Sequence, residues 1–67
     1  MEFEQALDYV ESNVYTIGQQ AVHGNDAALK IIIYYGAFNR HKDSKNKALL
    51  IVAVEKYQQS NPVAQHG

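Results

Sequence analysis

The sequence predicts an all-α fold, either a small three-helix bundle or a helical hairpin plus a third helix. Apolar residues near the amino end recur every three or four positions, which is the spacing of one helix face. Two later apolar runs, "IIIYY" and "LLIVAV", do not alternate apolar with polar residues, and helix-capping and helix-ending residues bound them. A chain of 67 residues forms one domain that hides only about 60% of its unfolded surface. Because there is no cysteine for disulfides, either idealised helix packing or oligomerisation must reinforce the fold, and we expect oligomerisation to complete it.

The first helix is predicted from Glu2 to Val22. Its apolar stripe consists of Phe3, Leu7, Val10, Val14, Ile17 and Ala21. Acidic residues in the first turns suit the positive end of the helix dipole. Gly24 is the expected stop after the last turn.

The second and third helices are predicted over about 26–40 and 44–60. Asn25 or Asp26 is the expected cap of the second helix, and Asp43 or Ser44 that of the third. The pair Asn61 and Pro62 is expected to end the third helix, which leaves 61–67 as a flexible tail. The single helical domain then covers 1–60.

An alternative is an α+β fold with a β-hairpin over 30–54. The residues of "KIIIYY" and "LLIVAV" favour strands because many are β-branched or aromatic. Neither run alternates, however, so both faces of such a hairpin would need cover. One remaining helix cannot cover two faces, which favours the all-α prediction.

No spacing signature of an enzyme is present. The lack of cysteine removes thiol catalysis and Cys-based zinc sites, and His23, His41 and His66 are too scattered for a helical pair of metal ligands. We therefore expect a protein that is not an enzyme, with no metal, cofactor or small-molecule substrate.

The charge of the amino end and the length of the apolar runs indicate where in the cell the protein is expected. Early acids in "MEFEQALDYVESN" differ from the basic start of a signal peptide. The apolar runs are far shorter than the roughly 18 residues of a membrane helix. The expected location is cytoplasmic, with no membrane partner.

Charge is distributed unevenly along the chain. Between Met1 and Leu29 there is no Lys or Arg, and the acids of this segment include a predicted acidic face on the first helix: Glu4, Asp8 and Glu11. Most of the positive charge lies in "NRHKDSKNK", as a basic corner made of Arg40, Lys42, Lys45 and Lys47. Such a corner suits phosphate or acidic protein groups. Because the whole chain has a net charge of −1, nucleic-acid binding is the alternative rather than the leading hypothesis.

The leading hypothesis is a small protein-binding module, an adaptor, regulator or inhibitor that docks on a larger protein and also self-associates. Aromatic and Arg side chains are common anchors of protein interfaces. The contact candidates are Tyr34, Phe38, Arg40 and Tyr35. Because Tyr34 and Phe38 are four residues apart and follow Lys30, we predict that their face meets a partner and that Tyr35 faces the core.

Overall fold

A computed structural model describes residues 1–60, which fold into four α-helices. They are α1 (Phe3–Ser12), α2 (Val14–Val22), α3 (Asp26–His41) and α4 (Ser44–Ser60). The all-α prediction is confirmed for these residues. The β-hairpin alternative over 30–54 is wrong, because that segment lies in α3 and α4 apart from the turn that joins them.

The first predicted helix is interrupted at Asn13, so there are four helices rather than three. The side-chain amide of Asn13 donates to the backbone carbonyl of Tyr9 at 2.8 Å. That carbonyl would accept the backbone N–H of residue 13 in a continuous helix, but this N–H donates to Val10 instead, at 3.2 Å. The asparagine side chain thus replaces a backbone hydrogen bond and ends α1.

The interruption also changes which side chains face the core. Val10 and Ile17 are fully buried, as the predicted stripe requires, but Val14 between them is 49% exposed. Its predicted core position was wrong, because the helix is interrupted at Asn13 and the stripe does not continue unbroken into α2. Ala6, outside the predicted stripe, is buried instead.

In the turn between α2 and α3, Gly24 ends one helix and Asn25 caps the next, as predicted. Gly24 has a positive φ of 97°. Its N–H donates to the backbone carbonyl of Ala21, and the N–H of Asn25 donates to the backbone carbonyl of Gln20. This pair of bonds is a Schellman motif. The side chain of Asn25 then accepts the N–H of Ala28 at 3.0 Å, which caps α3.

The turn between α3 and α4 contains only Lys42 and Asp43. Lys42 has the left-handed conformation, with φ 49°, and its N–H donates to Phe38 at 2.7 Å. Asp43 accepts the N–H of Asn46 at 2.8 Å and so caps α4. The short turn makes α3 and α4 antiparallel neighbours.

Each helix buries one face in a shared core. α4 packs on α3 and on α1, and α2 packs on α3. The main cluster consists of Ala6, Val10, Ile17, Ala28, Ile31, Leu50, Ala53, Val54 and Tyr57. At one side of it the Tyr57 hydroxyl donates to Gln20 at 2.6 Å, which ties α4 to α2. The predicted end of the last helix at Asn61 and Pro62 and the predicted tail 61–67 lie outside the described residues.

Candidate protein-contact surface

The four predicted contact residues of α3 occupy different environments. Phe38 is only 9% exposed and its ring lies 4.8 Å from that of Phe3, so it offers little surface to a partner. Tyr34 and Tyr35 are both partly buried against the core. Arg40 is exposed. The two tyrosines therefore lie at the rim of the core rather than one inside and one outside.

The outward face of α3 carries other apolar residues. Leu29 is 43% exposed and Ile33 is 52% exposed. They are four residues apart and so share a face, on the side of the helix opposite the buried Ile31. Neither was among the predicted contact residues, because apolar residues occupy most directions around α3 and their spacing alone does not show which face is outside.

A groove separates the exposed sides of α3 and α4. It has a volume of about 260 Å³ and is lined by Asp26, Ala27, Lys30, Ala53, Lys56 and Ser60. The alanines give it an apolar floor and the lysines give it two cations. Lys30 forms an ion pair with Asp26 at 3.5 Å, whereas Lys56 forms none within residues 1–60.

One exposed apolar residue of α3 and one of α4 follow the lysines of this groove toward the turn that joins the two helices. Ile33 follows Lys30 by three positions, and Val52, which is 47% exposed, precedes Lys56 by four. Residues three or four apart lie on one side of a helix, and the two helices are antiparallel. Both apolar residues therefore lie about one turn nearer than the lysines to the turn that joins α3 and α4. We call Lys30, Ile33, Val52 and Lys56 the α3–α4 face.

The basic corner lies at the other end of α3. Its four members, Arg40, Lys42, Lys45 and Lys47, are all exposed and form no ion pair within the described chain. The Lys47 ammonium lies 5.3 Å from the centre of the Phe3 ring, a cation–π distance. The guanidinium of Arg40 lies over Gly36, where an added Cβ would come within 3.6 Å of Nη1. Three of the cations, Arg40, Lys42 and Lys45, therefore remain available to an anionic group.

The predicted acidic face is also in solvent. Glu4, Asp8 and Glu11 are exposed on α1. Glu11 accepts a hydrogen bond from the Tyr35 hydroxyl at 3.2 Å, and none of the three forms an ion pair within residues 1–60. The molecule thus offers surfaces of opposite charge on different helices.

Residues 1–60 contain neither a cluster of metal-ligating side chains nor a helix able to span a membrane. No three His, Cys, Asp or Glu side chains lie together where they could hold a metal ion in this part of the chain. None of the four helices is both long and apolar enough to cross a membrane.

Comparison with known proteins adds no relative. No protein-family model matches the chain, and neither a curated protein nor a solved structure matches it.

Proposed function

We propose that this protein is a non-enzymatic helical protein-binding module that docks on a larger protein through the α3–α4 face. The observation that carries the proposal is the exposure of Ile33 on α3 and Val52 on α4, each about one turn from a lysine that lines one groove. Interfaces commonly have an apolar centre with polar groups around it. Here Lys30 precedes Ile33 by three residues and Lys56 follows Val52 by four, so each cation lies about one turn from the apolar residue of its own helix.

The charges of this face define the partner's chemistry. An acidic protein surface or an acidic amphipathic helix would place apolar side chains on Ile33 and Val52 and carboxylates near Lys56. Arg40, beyond Ile33 on α3, adds a cation without an ion pair at the other end. Opposite charges would raise the rate of association and select against basic partners.

A photo-crosslinking amino acid at position 33 tests this proposal. We expect it to capture a protein of the native host, whereas the same group at exposed Thr16 captures none. Ile33→Asp and Val52→Asp should abolish capture by a probe elsewhere on the face while circular dichroism stays unchanged. The matched variant Thr16→Asp should retain capture. Equal capture with Ile33→Asp would contradict the proposal.

Nucleic-acid binding is the second candidate, and the lack of ion pairs in the basic corner favours it. If Lys42 and Lys45 bind phosphates, the logarithm of affinity for duplex DNA should fall against the logarithm of salt concentration by roughly 0.9 per contact. Lys42→Gln with Lys45→Gln should flatten that slope, and Lys30→Gln should not. We expect weak binding that disappears near physiological salt. Tight, sequence-selective binding would favour this candidate over the first.

A further inference from the structure

The second helix has an exposed apolar face. Tyr15 is 77% exposed and Val22 is 82% exposed, the two highest values among the large apolar side chains of the described chain. Tyr15, Gly18 and Val22 have the spacing i, i+3, i+7 and so lie on one side of the helix. We call these three residues the α2 stripe; Val14, 49% exposed, lies beside it.

The glycine at the centre of the stripe is not required for packing among residues 1–60. A Cβ at Gly18 would meet nothing within 4 Å, and the φ of this residue is not positive. Glycine disfavours a helix interior, so the fold alone would favour alanine here. A glycine does allow another backbone to come close.

The α2 stripe also lies in a segment without charge. The residues from Ser12 to Asn25 include no Asp, Glu, Lys or Arg. In a two-fold dimer each patch meets its own copy. The acidic face of α1 or the basic corner would then oppose like charges, which is unfavourable. The α2 stripe is free of this repulsion, so its charge pattern suits a second copy of the same chain.

We propose that the α2 stripe is the interface of a two-fold homodimer, in which a second copy covers Tyr15 and Val22 and the helices approach closely at Gly18. The inference rests on the self-association included in the hypothesis above, and it concerns residues separate from the α3–α4 face. Loss of one interface is therefore measurable without loss of the other.

Sedimentation equilibrium of the full chain at micromolar concentration tests the dimer. We expect the unmodified protein to have the mass of a dimer, and Gly18→Leu and Tyr15→Lys to have that of a monomer. Tyr15 is exposed, and a Cβ at Gly18 would meet no atom of residues 1–60 within 4 Å, so circular dichroism should show unchanged helix content. Val52→Lys is the matched control, since it adds the same charge to the α3–α4 face, and it should remain dimeric.

A symmetric disulfide gives a second measurement, because the chain has no cysteine of its own. Under mild oxidation Gly18→Cys should form a covalent dimer rapidly, and Val52→Cys should not. A monomeric mass for the unmodified protein at every concentration would overturn the inference. The inference would also be overturned if both α2 variants remained dimers, or if only Val52→Lys dissociated the dimer. Neither result decides the docking proposal, which has its own crosslinking test.

Discussion

The rings of Phe3 and Phe38 lie 4.8 Å apart at an interplanar angle of 58°. This tilted contact joins the first residue of α1 to the last turns of α3, and the Lys47 ammonium of α4 lies on the Phe3 ring. Three helices therefore meet at one aromatic pair. Tilted aromatic pairs stabilise beyond the apolar area that they bury.

Phe38→Ala should destabilise the fold by about 3 to 5 kcal/mol, because it removes a buried ring and leaves a cavity. Urea unfolding at a fixed protein concentration measures the change. Ile33→Ala is the control, since Ile33 is 52% exposed, and it should cost much less. If Phe38→Ala left the free energy of unfolding unchanged, the ring would serve a partner rather than the core.

Tyr57→Phe should lower the free energy of unfolding by roughly 0.5 to 1.5 kcal/mol, the usual net contribution of one hydrogen bond. The substitution keeps the 4% exposed ring and removes the hydroxyl that donates to Gln20. Chemical denaturation would detect this difference. Tyr15→Phe, at a 77% exposed position, should have almost no effect, and equal losses in the two variants would argue against the hydrogen bond.

Stability should decrease above pH 10. Burial raises the pKa of the Tyr9 hydroxyl above its ordinary value of 10.0, and burial together with the nearby Tyr9 raises the pKa of Tyr57. Between pH 10.0 and the higher pKa of the folded state, the two tyrosines lose their protons in the unfolded chain but keep them in the folded chain. Folding therefore becomes less favourable as pH rises through this range. Below pH 10 both tyrosines keep their protons in the folded and the unfolded chain, so no stability is lost there.

Denaturant titrations on either side of pH 10.0 would measure this loss, and ultraviolet absorbance would show late ionisation of two tyrosines. Tyr9→Phe should reduce the alkaline loss, whereas Tyr15→Phe should retain it. A free energy of unfolding that stays constant through this range would contradict the prediction.

Lys42→Gly should stabilise the fold by about 1 kcal/mol, because a side chain at positive φ is strained and glycine is not. Lys42 has φ 49° at the end of α3. Thermal unfolding would detect the gain, and Lys45→Gly, inside α4, should instead lower stability. A lower melting temperature for Lys42→Gly would mean that its side chain stabilises the turn more than its backbone strains it.

Helix class and helix caps could be predicted from the sequence because they depend on local chemistry. Gly24, Asn25 and Asp43 act within one turn of chain, so their residue types are informative. The interruption at Asn13 depends on a choice between two hydrogen bonds to the Tyr9 carbonyl, and the apolar spacing fits a continuous helix equally well. Only the asparagine itself was a signal.

The contact surface was harder to predict because exposure depends on how helices are arranged. Apolar residues occupy most directions around α3, so their spacing does not tell that Phe38 is inside and Ile33 outside. Packing against α1 and α4 decides this. The basic corner, by contrast, follows from a polar turn, and its residues are exposed as expected.

The interruption at Asn13 has a consequence for the order of folding. α3 and α4 are joined by two residues, so their contacts form at a small entropy cost of loop closure. α1 packs on α4 at the far end of the described chain, and the break at Asn13 separates it from α2. Contacts so distant in sequence form late and open early. We therefore expect α1 to detach while the other three helices stay folded, and its amide protons to exchange with solvent first.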